Sequence, residues 1–235
     1  MRTAPLAAFL LLAAPAEGAV RNFSVTSFDR VRVDGPYQVT LRTNVAPFAR
    51  ASGTQASLDA VSIKVEGRTL IVRTQSGGGW GGYPGEGRGP VAIELGTHDM
   101  TAAWVNGAGA LATDRVKGLS FDLAIQGSGV ARIDAAGVDQ LKVGMAGSAT
   151  TRIAGRAAKL TATVRGSSSL DAEGLKVKDA VIGAEGPALV RAAISNTAKV
   201  DALGLASVAL TGNPSCTVKS EGSASVGGWA CAGVR

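Results

Sequence analysis

Residues 121–149 read FDLAIQGSGVARIDAAGVDQLKVGMAGSA and contain one full period of a repeat that runs through the second half of the chain. A glycine followed by small residues stands at Gly127 and again at Gly147, and the pattern returns every 18 to 20 residues. The repeated glycines are Gly107, Gly127, Gly147, Gly166, Gly186, Gly204 and Gly222. A fixed period of this size indicates a solenoid, in which each repeat stacks on its neighbours.

Apolar residues alternate with others on both sides of each glycine. Leu123 and Ile125 precede Gly127, and Ala131 and Ile133 follow it. Alternation with period two predicts strands with one buried face, and glycine suits the corner between them because it accepts positive φ and close approach of the next coil. We therefore predict an all-β fold, a single-stranded parallel β-helix with coils of 18–20 residues and at least two short strands in each coil.

The composition predicts a narrow core. Glycine occurs 32 times, whereas aromatic residues make up only 4% of the chain. Turns are therefore plentiful and large side chains are scarce, so small apolar residues should fill the interior. The content of Gly, Ser, Thr and Val argues against a helical solenoid.

The first half of the chain is less regular. Around Gly35 the apolar columns of the repeat recur, which predicts a first coil, and residues 61–72 predict either a hairpin or further coil strands. Another strand is expected over 91–95. We predict one domain over 17–235, with irregular coils over 23–100 and regular coils over 101–235.

The N-terminus has the features of a secretory signal peptide. Met1-Arg2 is followed by an apolar run from Leu6 to Ala14 and by small residues ending at Ala16. We predict a signal peptide over 1–16 and export to the periplasm or to the cell surface and exterior. No later segment approaches the continuous apolar length of a transmembrane helix, so none is predicted.

The two cysteines, Cys216 and Cys231, suit an oxidising compartment. A disulfide between them would close a loop of about fifteen residues and contribute on the order of 3 kcal/mol in the chain-entropy model. We expect this bridge to hold the last coil of the solenoid. Two cysteines and one histidine are too few for a zinc site, so no metal or cofactor is predicted.

The net charge of +6 and the pI of about 9.7 favour anionic partners, of which glycans and envelope lipids are the classes we consider. The cations are spread along the chain, so a solvated surface that keeps the protein soluble is the competing interpretation. Nucleic acid is not predicted as a partner, because only the pI would support it.

Six residues are candidates for ligand contact. A glycine-rich loop over 76–89 carries Trp80, Tyr83 and Arg88, whose side chains could stack on a sugar, although a tolerated insertion is the alternative. Five positions after successive glycines stand Arg132, Arg152, Asp171 and Arg191. These arginines form either a strip that contacts anions or a solvated ladder in which Asp171 pairs with its neighbours.

Nothing in the sequence predicts a catalytic residue. His98 is the sole histidine and stands beside a strand end, and no Gly-x-Ser-x-Gly motif occurs. The alternative function is a carbohydrate-active β-helix that binds or cleaves polysaccharide. A lateral groove with at least three converging carboxylate or basic side chains would favour that alternative, and a flat flank of small residues would favour surface presentation.

Three motifs carry a resemblance to a known family: FDRVRVDGPY over 28–37, VNGAG over 105–109 and IQGSG over 125–129. They resemble the bacterial head GIN-domain family, which carries the label putative autotransporter adhesin. The resemblance covers most of the mature chain, as far as Cys216. It implies an exported, right-handed β-helix without an established biochemical activity, and it supplies no catalytic residues. We therefore expect a non-enzymatic adhesin or envelope-interaction module.

Overall fold

The computed structural model describes residues 18–75, 89–228 and 231. These residues form a β-solenoid with one short helix, α1 (Gln55–Asp59). The strands, in chain order, are β1 (Ala19–Phe23), β2 (Arg30–Asp34), β3 (Gln38–Thr43), β4 (Phe48–Gly53), β5 (Val61–Glu66), β6 (Thr69–Thr74), β7 (Ala92–Thr97), β8 (Ala102–Gly107), β9 (Ala110–Gly127), β10 (Val130–Gly147), β11 (Thr150–Gly166), β12 (Ser169–Glu185), β13 (Leu189–Gly204), β14 (Ser207–Gly212), β15 (Ser215–Gly222) and β16 (Ser225–Gly227).

Strands β9 to β13 are each one turn of the solenoid, and each pairs in parallel with the next. The glycines of the repeat lie above one another, because Gly127 is the partner of Gly107 on one side and of Gly147 on the other. The predicted all-β fold and parallel β-helix are therefore confirmed.

Each coil has three faces, which the exposure pattern of β10 delimits. Buried and exposed residues alternate within 130–134, within 135–139 and within 140–146, and the phase changes wherever two neighbouring residues are both exposed. We call these segments of β10, and the segments stacked on them, face B, face C and face A respectively. The sequence pattern predicted faces A and B. Face C was missed, because its buried residues do not stand at a constant distance from the glycine.

The corner between faces A and B requires glycine. Gly147 has a φ of 106°, and a Cβ atom there would lie 2.5 Å from the carbonyl oxygen of Gly127 in the coil below. The same carbonyl accepts a hydrogen bond of 2.8 Å from the backbone N–H of Ser148. The corner is therefore a backbone-to-backbone contact with no room for a side chain.

Columns of apolar side chains fill the interior. One column on face A, in register across five coils, is at most 2% exposed at every position. Its members are Leu123, Val143, Ala162, Ile182 and Val200. Residues of this size match a narrow cross-section, so apolar burial drives coil stacking without large aromatic side chains.

The N-terminal coils do not stack in sequence order. β2 and β3 form the coil predicted around Gly35, and on one side this coil pairs with β8 and β9. On its other side it pairs with β6 and β7, which come later in the chain. The first coil is thus held between two later ones.

Antiparallel strands cover the N-terminal end of the solenoid. β4 pairs with β7, and β1 pairs with β4. β5 and β6 pair as an antiparallel hairpin, so the hairpin interpretation of residues 61–72 is confirmed. β6 also pairs in parallel with β2 and is therefore a coil strand as well. The sequence pattern did not predict β1, β4 or α1. This covering protects a sheet edge that would otherwise be open to another chain.

At the C-terminal end β14 and β15 complete a coil on β13, and β16 pairs with β14. The sulfur atoms of Cys216 and Cys231 lie at disulfide distance, with Cα atoms 5.4 Å apart. Cys231 is buried and Cys216 half-buried. The bridge joins β15 to a residue beyond β16, so it ties down the last coil, as predicted.

Two sequence predictions fall on residues that are not described: the signal peptide over 1–16 and the glycine-rich loop over 76–89, of which only residue 89 is described. Among the described residues, no helix has the length and hydrophobicity required to cross a bilayer.

Replacing Gly147 by Ala should destabilise the solenoid by about 1–3 kcal/mol, because the new Cβ meets the Gly127 carbonyl and φ is positive. For a chain of this size that lowers the thermal midpoint by at least about 2–4 °C. Gly144→Ala is the control, since a Cβ there has no heavy atom within 4 Å. Equal midpoints for the two variants would contradict the corner assignment.

Intact-mass measurement should show the oxidised protein two hydrogens lighter than the reduced form, because Cys216 and Cys231 are at bonding distance. Cys216→Ser with Cys231→Ser should lower stability by about 3 kcal/mol. A count of two free thiols in unreduced protein would disprove the bridge.

Candidate functional site

The structure brings the predicted arginines together on face B. Arg132 pairs in register with Arg152, Arg152 with Asp171, and Asp171 with Arg191. The four side chains therefore form one row across β10 to β13, which we call the arginine row. Strand partners in a sheet are about 4.8 Å apart, so a row across four coils spans about 14 Å.

Two of the three arginines have carboxylate partners. Arg132 forms an ion pair of 2.5 Å with Asp134 on its own strand, and Arg152 lies 3.6 Å from Asp171 on the next coil. Arg191 forms no ion pair with any carboxylate of the described residues. The guanidinium side chains of Arg132 and Arg152 remain 62% and 74% exposed. Asp171 therefore pairs with a neighbour, as the ladder interpretation predicts, while the row stays accessible and carries excess positive charge.

The other three contact candidates, Trp80, Tyr83 and Arg88, lie outside the described residues.

One outward column of face A is a short flank of small residues, the feature that favours surface presentation, and it lies between Trp104 and Asp201. Ala124, Gly144, Thr163 and Gly183 are strand partners on successive coils. A Cβ at Gly144 or Gly183 would meet no heavy atom closer than 4.0 Å. The backbone therefore does not require glycine at these two positions, and the absence of side chains there keeps this one column flat.

Face C carries an open groove of about 600 Å³. Its outward positions are mostly small: Gly137, Ala158, Ala193, Ser195 and Gly212. Between them stand the longer charged side chains Asp139, Arg156, Lys176 and Lys178. Val138, Ala157, Val177 and Ile194 lie beneath, at most 5% exposed.

The groove exists because face C narrows along the solenoid. Residues Ala135–Val138 pair throughout with Arg115–Gly118, whereas on the coil of β13 only Ala193 and Ile194 pair with Lys176 and Val177. Register shifts flank those two pairs on both sides. The repeat spacing shortens at the same place, from 20 residues to 18. A shorter coil draws its surface inward relative to its neighbours, and this leaves the depression.

Three basic side chains line the groove: Arg156, Lys176 and Lys178. Three is the number of charged side chains that would favour an enzyme. The groove lacks the pair of carboxylates that glycoside hydrolysis needs, because Asp139 is the only carboxylate among its described lining residues. No cluster of three or more His, Cys, Asp or Glu suited to a metal occurs in the described part of the chain.

Asp179 lies on face A beside a smaller depression. Hydrogen bonds from Thr197 and Asn196 lower the pKa of Asp179, which favours its ionised form. His98 is exposed and follows the end of β7. The geometry of the described residues thus supports binding better than catalysis.

Sequence reasoning found the arginine row but missed the groove. Its residues stand on face C, which has no constant offset from the glycines. The shortening of the last repeats was a signal that could have located it.

Comparison with known proteins gives a family and a fold. The model of the family described as "Putative auto-transporter adhesin, head GIN domain" matches residues 27–214. No curated protein matches the chain.

Three solved structures of similar fold come from the genera Bacteroides and Parabacteroides. A putative adhesin of Bacteroides fragilis superposes with a TM-score of 0.80 at 13% identity, covering 91% of this chain and 97% of that one. A putative lipid binding protein of Parabacteroides distasonis has a TM-score of 0.71 at 15% identity, covering 91% and 97%. A putative adhesin of the same species has a TM-score of 0.67 at 16% identity, covering 91% and 98%. At these identities the likeness shows the shared fold.

Replacing Thr197 by Val should raise the pKa of Asp179 toward its ordinary value, because the largest cause of its depression is the hydrogen bond from the Thr197 hydroxyl. A carboxyl with a lowered folded-state pKa stabilises the fold above its unfolded-state pKa and loses this contribution as pH falls through the folded-state value. The variant should therefore show a smaller stability loss on acidification. Nuclear magnetic resonance titration of the Asp179 carboxyl measures the shift, and an unchanged pKa would refute the assigned cause.

Proposed function

The chain belongs to the family described as putative auto-transporter adhesin, head GIN domain, and on that premise we propose that it is a non-enzymatic, adhesin-like module that binds anionic material of the cell envelope. The arginine row is the observation that carries the proposal. It presents Arg132, Arg152 and Arg191 at the first, second and fourth positions of a row of strand partners, with Asp171 at the third.

The solenoid suits adhesion because its surface is repetitive and preorganised. Each arginine is fixed to a strand that is hydrogen-bonded on both sides, so little backbone entropy is lost when a partner binds. A polymer or a surface that carries many anionic groups can contact several arginines of the row at once. Such a partner gains affinity through multivalency.

Export is part of the proposal. The features of residues 1–16 support it, and the cysteine pair at disulfide distance is typical of an oxidising compartment. We propose the periplasm or the cell surface as the location, and residues 17–235 as one domain. Trp80, Tyr83 and Arg88 are proposed as further contacts, on the basis of their side-chain chemistry alone.

The partner class includes anionic glycans and the head groups of envelope lipids. The description of the Parabacteroides distasonis structure as a putative lipid binding protein makes lipid a reasonable class to test. The carbohydrate-active alternative is not favoured, because the family and the structures of similar fold are described as adhesins or as lipid binding proteins.

The test measures binding to dextran sulfate and to vesicles containing phosphatidylglycerol, at low salt and at about 0.15 M salt. Changing Arg132, Arg152 and Arg191 to Gln should weaken binding about tenfold or more, since three exposed charge contacts of up to about 1 kcal/mol each are removed. Asp171→Asn should strengthen binding, because it removes a negative charge from the row.

The matched control changes Arg30, Lys64 and Lys199 to Gln, three exposed cations with no ion pair to a described residue. It removes the same net charge away from the row. Equal losses for the two triple variants would mean that only net charge matters, and the assignment to the arginine row would fail. Cleaved polysaccharide in the same samples would instead establish the enzymatic alternative.

A further inference from the structure

We propose that the groove on face C binds an amphiphile with a single acyl chain and an anionic head group. Arg156, Lys176 and Lys178 would hold the head group, and the small residues between them would hold the chain. This site lies on a different face from the arginine row, so it is separate from the adhesin-like function proposed above.

The shape of the groove suits an elongated apolar group. Its volume of about 600 Å³ is within the usual range of small-molecule sites, about 300–1,000 Å³. The floor is formed by small outward residues, among them Ala158 and Ala193, over buried apolar side chains. Arg156, Lys176 and Lys178 add long aliphatic stems, which can cover an acyl chain while the charged ends stay in water.

The charge of the groove selects an anion. Arg156 and Lys176 are strand partners, and Lys178 follows two residues later on the same outward side. None of the three forms an ion pair with a carboxylate of the described residues. Against these three cations the groove has one lining carboxylate, Asp139, and Asp179 beside Lys178 on face A offsets part of the positive charge. A carboxylate or phosphate head group would therefore supply the charge that the groove itself lacks.

Neutral sugars and aromatic ligands fit this groove less well. Its lining includes no aromatic side chain on which a ring could stack. Ser195 is its only uncharged side chain that can form a hydrogen bond. Strand pairing engages the backbone of Arg156, Ala157, Lys176 and Val177 on both sides. The corner residues Asp139, Ala158 and Lys178 lie in gaps of this pairing. Charge and apolar contact therefore dominate what the groove offers, which is the combination an acyl anion matches.

The test measures binding of oleate and of lysophosphatidylglycerol below their micelle concentrations, by isothermal titration at about 0.15 M salt. These two probes share the proposed chemistry and distinguish a fatty-acid carboxylate from a lipid phosphate. We expect saturable binding of at least one of them at one molecule per chain. Inorganic phosphate should bind much more weakly, because it has no acyl chain.

Two variants separate the head-group contacts from the chain contacts. Lys176→Gln with Lys178→Gln should weaken binding by about tenfold or more, because charge-assisted contacts are lost. Ala158→Phe should block the acyl chain while leaving the charges in place, and because Ala158 is exposed the larger side chain does not enter the core. Thermal melting of each variant checks that the fold is retained.

The control pair is Lys64→Gln with Lys199→Gln, which removes equal charge away from the groove and should leave binding unchanged. The triple variant of the arginine row should also bind oleate normally, which keeps the two proposals distinguishable. Absence of acyl-anion binding, or binding that Ala158→Phe does not alter, would overturn this inference. Binding or cleavage of an acidic oligosaccharide such as oligogalacturonate, without binding of either lipid, would overturn it in favour of a glycan site.

Discussion

The close approach of successive coils at the glycine corners is the constraint on which the rest of the structure depends. The carbonyl oxygen of Gly127 occupies the space that a Cβ of Gly147 would need, so the two backbones can meet only where a side chain is absent. The same contact recurs at Gly127 and Gly166, and it keeps the corners of β8 to β11 in register. Parallel pairing then follows along each face, and equivalent residues of successive coils are aligned in columns.

The columns explain both the core and the surface. Inward columns are continuous rows of small apolar side chains, so a chain with few aromatic residues still buries a long interior. Outward columns place side chains of successive coils at strand spacing, which turns a sequence recurrence into a spatial row. The arginine row and the flat flank on face A are two such columns with different chemistry: one concentrates charge, and the other keeps the surface low.

The groove on face C, which we assign to a ligand, lies where the coils depart from their regular length. Where the coils shorten toward β13, face C loses paired residues and its register shifts. The groove lies at this narrowing, and Lys176 and Lys178 on the longer coil of β12 line it. The regular faces thus suit extended partners, and the narrowing of face C suits a small ligand. The same solenoid can carry both, because each face can vary without disturbing the register at the glycine corners.

The sequence by itself determined the solenoid, its period, the corner glycines, the columns of faces A and B and the alignment of Arg132, Arg152, Asp171 and Arg191, because each follows from a local pattern repeated at fixed spacing. The cysteine pair could also be predicted, because only two cysteines are present. Only the tertiary structure decided the rest. Face C and its groove depend on small differences in coil length, which shift residues out of any constant offset. The position of β2 and β3 between β6–β7 and β8–β9 depends on which sheet edges remain open for pairing, and strands far apart in the chain compete for those edges. Such competition is settled by burial and hydrogen bonding over the whole molecule, which a local pattern does not record.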